Sequence, residues 1–162
     1  MANIQEWIRF YSSNNRRVKI RAARVLLDRS MDVPLDLLIE IFDTLSWEGL
    51  GAKAEKALLE RRDVEVVSKM IARLGSTDHF VREAACTVLG HFGDKTATPY
   101  LLRMIDDPNM MVRRAAGFGL AFLKDPASLP ELKEHYERHR NDDANVVMAL
   151  QCALQSLGEE LS

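Results

Sequence analysis

VREAACTVLGHFGD, residues 81–94, reappears 31 residues later as VRRAAGFGLAFLKD, residues 112–125. The same interval runs through the chain in two columns, Ala23, Ala54, Ala85, Ala116 and Leu27, Leu58, Leu89, Leu120. A fixed period of this length is the mark of a repeat architecture, in which each unit is one supersecondary element. A fifth copy, VVMALQCALQSLG (146–158), follows after about three extra residues in the turn HRNDDAN. Within the quoted stretch, Val81, Ala84, Ala85, Val88, Leu89 and Phe92 stand at i, i+3, i+4, i+7, i+8 and i+11, the stripe of an amphipathic helix.

Each such helix follows another with the same spacing: LDLLIEIFDTL (35–45), VEVVSKMIARL (64–74) and TPYLLRMIDD (98–107). Ile4, Trp7, Ile8 and Tyr11 give the first helix its inner stripe. Thr98-Pro99 reads as an N-cap followed by Pro at the first helical position, and Pro130 recurs 31 residues later. Gly75-Ser76-Thr77-Asp78 and Asp107-Pro108-Asn109 read as tight turns. No stretch alternates as a strand does. One helix pair cannot bury its own stripe, so pairs must stack. The expected fold is all-α: an α-solenoid of about five antiparallel helix pairs, forming one domain over 1–162 with units near 1–31, 32–62, 63–93, 94–125 and 126–162.

Composition agrees with a folded, water-soluble chain. Of the 162 residues, 47% are apolar and 28% charged, which excludes disorder, and a net charge of −2 supplies no global field toward nucleic acid or anionic lipid. The longest uncharged stretch, 144–158, is interrupted by Asn145, Gln151, Gln155 and Ser156 and is too short for a membrane span. Two widely spaced cysteines and a start, MANIQEWIRFYSS, without a basic segment leading into an apolar one point to the reducing cytoplasm.

These residues resemble HEAT repeats, specifically the short bacterial variety named after phycobilisome lyase subunits. Val81-Arg82, Ala84-Ala85, Leu89-Gly90, Gly93-Asp94, Pro99, Leu101-Leu102 and Asp107-Pro108 match the family's pattern closely. The next unit keeps Val112-Arg113, Ala115-Ala116 and Leu120 but has Lys124-Asp125 in place of Gly-Asp. The resemblance implies that Arg82 and Arg113 pair with acids of neighbouring repeats, and Ile20 and Gly51 at the earlier positions leave that ladder incomplete. It implies a protein-binding scaffold or adaptor engaging a partner on the concave face of the solenoid. A bilin lyase-like or tetrapyrrole-handling subunit is the alternative. Deoxyhypusine hydroxylase is similar in fold, but it needs repeated His-Glu dipeptides for iron, whereas His79, His91, His135 and His139 precede Phe, Phe, Tyr and Arg. With no catalytic constellation in sight, a non-enzymatic role without a cofactor is expected.

Candidate partner-binding residues fall in three groups. Residues 1–31 carry seven Lys or Arg against two acids, while residues 32–48 carry five acids and no base. Arg17, Arg21 and Arg24 share one ridge with Asp28, opposite Ile20, Ala23 and Leu27, and could take an acidic protein surface or, as a weaker alternative, a nucleic-acid backbone. Phe118 and Phe122 stand one turn apart beside the small Gly117 and Ala121 and could line a shallow apolar groove rimmed by Arg82, Glu83, Arg113 and Arg114. Glu131, His135 and His139 share a helical face, but without a ligand from another helix no metal site is expected. Cys86, in the column of Arg24, Glu55 and Gln151, is expected near the surface. Val146, Ala149, Leu150, Ala153, Leu154 and Leu157 complete the last stripe, and the uncharged outer side of that helix makes a homodimer possible there.

Overall fold

The computed structural model describes residues 3–45 and 49–160. Among these the regular structure is helical: α1 (Ile4–Tyr11), α2 (Arg16–Asp28), α3 (Leu35–Leu45), α4 (Gly51–Arg61), α5 (Glu65–Arg73), α6 (His79–Phe92), α7 (Thr98–Met104), α8 (Met110–Leu123), α9 (Leu129–His139) and α10 (Ala144–Ser156). The all-α solenoid class read from the period is what the chain adopts. The chain divides into two compact units, Met1–Asp63 and Val64–Ser162, at the boundary between the second and third pairs.

The Ala and Leu columns form the core. Ala23, Ala54, Ala85 and Ala116 are fully buried, and Leu27, Leu58, Leu89 and Leu120 nearly so. In the first unit, Tyr11 packs inward and its hydroxyl meets Thr44 Oγ1 at 2.9 Å, joining α1 to α3. Burial, reinforced by the charges of Glu40 and Asp43, holds the Tyr11 phenol above its ordinary pKa against the opposing Thr44 bond. Arg61 donates to the carbonyls of Ser30 and Val33 and pairs with Asp63 at 2.7 Å. Lys53 reaches Asp28 at 2.6 Å, taking that carboxylate from the arginine ridge. Of the acidic run after residue 31, Glu48 lies outside the described residues.

In the second unit the second helices approach very closely because small residues face one another. A Cβ on Gly90 would sit 2.5 Å from Gly119 Cα, and one on Gly117 would sit 2.9 Å from Ala149 Cβ. Side chains at those positions would force the helices apart. This explains a correction to the sequence reading. Cys86 is fully buried, because its column turns toward the next second helix here, and Gly117 occupies the same column on α8. Burial pushes the Cys86 thiol far above its usual range, so it is an inert core group.

Helix ends also depart from expectation in one place. Thr98 is the first residue of α7 rather than its cap, and its hydroxyl donates to Asp125 at 2.8 Å. Asp94 and Asp125 instead cap the short 3₁₀ turns Lys95–Ala97 and Pro126–Ser128. The predicted turns end in working N-caps, Asp78 for α6 and Asn109 for α8. On α10, Val146, Ala149, Leu150, Ala153 and Leu154 are buried while Leu157 caps the helix half-exposed.

Candidate functional site

The α6 and α8 helices of the second unit build a groove from residues three and four apart, the spacing that puts side chains on one helical face. From α6 come Glu83, Thr87 and His91; from α8 come Arg114, Ala115, Phe118, Gly119 and Phe122. The groove holds about 340 Å³. Gly119 and Ala115 keep its floor low, which is the reason a concavity exists between two packed helices. At one end the His91 and Phe122 rings face each other with centroids 4.4 Å apart, and Phe122 remains 56% exposed. At the other, Arg114 Nη2 donates to Glu83 Oε1 at 3.4 Å. Thr87 turns its hydroxyl onto the Glu83 carbonyl, so it offers the groove its methyl group. The site therefore has an apolar aromatic end and a polar end carrying both signs of charge.

Phe118, Phe122 and Arg114 thus come together at one place. Arg82 and Arg113 do not join them. Both guanidiniums are committed inside the protein, and their assignment as partner-binding residues gives way to a structural one. Arg82 holds Asp107 with two bonds, Nε to Oδ2 at 2.7 Å and Nη2 to Oδ1 at 2.9 Å, and donates Nη1 to the Ser76 and Thr77 carbonyls. Arg113 repeats the pattern on Asp142, at 2.8 Å for both bonds, with Nη1 on the Asp107 and Pro108 carbonyls. Fork-to-fork pairing of this kind fixes orientation as well as supplying attraction. The Arg82 and Asp107 side chains are only 13% and 4% exposed. Burial alone would raise the Asp107 carboxyl, but Arg82 and the Asn109 N–H outweigh it and hold the group below the usual range. The bond from Arg113 lowers Asp142 likewise.

In the first unit, Arg17, Arg21 and Arg24 all project from α2 as exposed side chains. They share a face, as their spacing required, at a distance in sequence from the groove residues. On α9 the structure replaces one member of the histidine group. Glu131 is exposed and stands outside it, whereas Asp106, from the turn after α7, brings a carboxylate to His135 and His139. Nothing in the helical period signals that contact, because Asp106 lies one repeat earlier. Thr87 and His91 also escaped the sequence reading, although both sit at groove-facing positions of α6, one turn apart.

Comparison with known proteins is consistent with this architecture. Over 64 residues the chain is 33% identical to "Uncharacterized phycocyanin operon protein Z" of Pseudanabaena tenuis, a stretch covering 40% of this chain and 32% of that relative. The matched part is thus about a third of the relative's length. None of the described helices is long and apolar enough to cross a membrane. The pattern that defines HEAT repeats matches residues 67–151, more than half of the chain, and with the repeated helix pairs and the arginine ladder it establishes that the protein belongs to the HEAT-repeat family.

Proposed function

We propose that the protein is a non-enzymatic cytoplasmic adaptor, and that the α6–α8 groove is where it holds a protein partner. The observation that carries this reading is Phe122: a large apolar side chain, more than half exposed, at the mouth of a built concavity rather than on an isolated patch. Aromatic anchors in central concavities dominate protein recognition, while surrounding polar groups fix register. The Glu83–Arg114 pair is suited to that second role, since it offers a partner an acceptor and a donor side by side.

A second reading rests on the relative's name, which places that protein in a phycocyanin operon. Under it the groove would serve a tetrapyrrole or a bilin-bearing protein, with Arg114 available for a propionate.

Affinity capture from the source organism's lysate separates these readings. Wild type and Phe122→Ser are compared with and without nuclease, and the visible absorbance of each eluate is recorded. A colourless, nuclease-resistant protein retained by wild type and lost with Phe122→Ser is the expected result. Colour that follows Phe122 favours the tetrapyrrole reading. Capture unaffected by Phe122→Ser removes the groove, and capture abolished by nuclease moves attention to Arg17, Arg21 and Arg24.

A further inference from the structure

Asp106, His135 and His139 stand apart from the groove and belong to no rung of the ladder. One ligand atom from each lies within 4.8 Å of the other two. Asp106 Oδ1 is 2.7 Å from His139 Nε2 and 3.5 Å from His135 Nδ1. Zinc bonds of about 2.0–2.1 Å in a tetrahedron place ligand atoms roughly 3.3 Å apart, so small side-chain rotations suffice to reach that spacing. The two histidines sit four residues apart on α9, with rings stacked at 22° and centroids 6.4 Å apart.

The surroundings of His139 fit a ligand. Its Nδ1 lies 3.2 Å from Asp142 Oδ2. A neutral imidazole has one N–H, and the tautomer that donates it to Asp142 presents the Nε2 lone pair on the Asp106 side, where a metal would bind. Carboxylate support of the distal ring nitrogen is also the usual outer-shell partner of a metal-bound histidine. His135 adds a second nitrogen, and the set of two imidazoles and one carboxylate suits zinc in a site with one open position.

One group opposes binding. Arg138 Nη1 lies 2.9 Å from Asp106 Oδ2, 3.2 Å from Oδ1 and 3.4 Å from His135 Nδ1. Its side chain is 55% exposed and can swing into solvent, or remain on Oδ2 while Oδ1 takes the metal. Its positive charge should weaken binding rather than abolish it.

We propose that Asp106, His135 and His139 form a zinc site that joins the turn after α7 to α9, stapling the fourth repeat to the fifth. The site is independent of the groove reading. It would act where the fold otherwise uses the Arg113–Asp142 rung, since His139 touches both carboxylates.

The test uses the full chain without a polyhistidine tag. Zinc chloride is titrated calorimetrically, and cobalt chloride is followed by its visible absorption, which distinguishes four-coordinate nitrogen and oxygen ligation from thiolate. Expected results are one zinc per chain and a higher thermal midpoint with zinc. His135→Gln and His139→Gln should each weaken binding about tenfold or more. Binding should persist in Glu131→Gln and Cys152→Ser, and Arg138→Gln should tighten it. Folding of each variant is checked by circular dichroism without metal. Absence of saturable binding by the wild-type chain overturns the proposal, as does binding that survives both histidine substitutions.

Discussion

Each unit has a core of the same pattern, and the two differ in how successive helix pairs are tied together within them. Both bury the same Ala and Leu columns. In the first unit the ties are individual: a tyrosine hydroxyl on Thr44, and Arg61 on two carbonyls. In the second they are periodic, with Arg82–Asp107 and Arg113–Asp142 repeating one geometry and Gly90 and Gly119 letting the helices close up. The next rung toward the N-terminus would need an arginine at 51 and an acid at 76. Those positions hold Gly51 and Ser76. A shared hydrophobic period thus specifies the helix pair, while the polar residues outside the period distinguish one stretch of the array from another.

Arg82→Ala should break this comparison most severely. It leaves Asp107 buried without its partner, a change that costs about 3–5 kcal/mol for a buried pair. Hydrogen exchange should quicken across α6 and α8 while α2 and α4 keep their wild-type rates. Equal acceleration in both units would show that the rung supports the whole chain. Gly90→Ala comes next. Alanine is the better helix former, yet its Cβ would meet Gly119 Cα at 2.5 Å, and overpacking should cost about 1–3 kcal/mol in a urea titration. A stabilised variant would mean that the two helices separate freely.

The period made the helix pairs, their buried columns and the positions of Phe118, Phe122 and Arg114 on one face legible, because all of these depend on spacing within a single helix. Contacts between repeats were harder to read. Asp142 is displaced from the 31-residue register because it lies in the turn that carries the extra residues, so it does not align with Asp107. Asp106 meets His135 and His139 only through stacking. Cys86 looked like a surface position because Arg24 and Glu55 share its column, and only the close approach of α8 buries it. Arg82 and Arg113 looked available as well as structural, and the bidentate acids decide between those roles.

Tyr11→Phe probes the individual ties. Losing the bond to Thr44 should cost about 1 kcal/mol, confined to the first unit, because Thr44 still donates to the Glu40 carbonyl. The phenol also sets an alkaline limit. Its folded pKa lies above its unfolded value of about 10, so its contribution is complete below that pH and is lost as pH rises through the folded value. The variant should lose less stability than wild type on passing from neutral pH into that range. A parallel loss in both proteins would assign the alkaline limit to another group.

The smallest effect concerns a feature that both units share. Arg62, Gly93 and Lys124 occupy one column and end α4, α6 and α8 in the left-handed region, with φ of 54°, 81° and 46°. Glycine adopts that conformation without strain, whereas a residue with a Cβ pays about 1–2 kcal/mol. Replacing Lys124 or Arg62 by Gly relieves the strain but makes the unfolded chain freer, which returns part of the gain. Lys124→Gly should therefore stabilise its own unit by about 0.5–1 kcal/mol, and Arg62→Gly should gain less, because Arg62 has an interaction of its own. The two effects should add, since the residues are two repeats apart in the sequence. If Lys124→Gly stabilises and Arg62→Gly does not, the Arg62 side chain contributes an interaction that the cap geometry alone does not reveal, and the first unit again relies on an individual tie where the second relies on backbone shape.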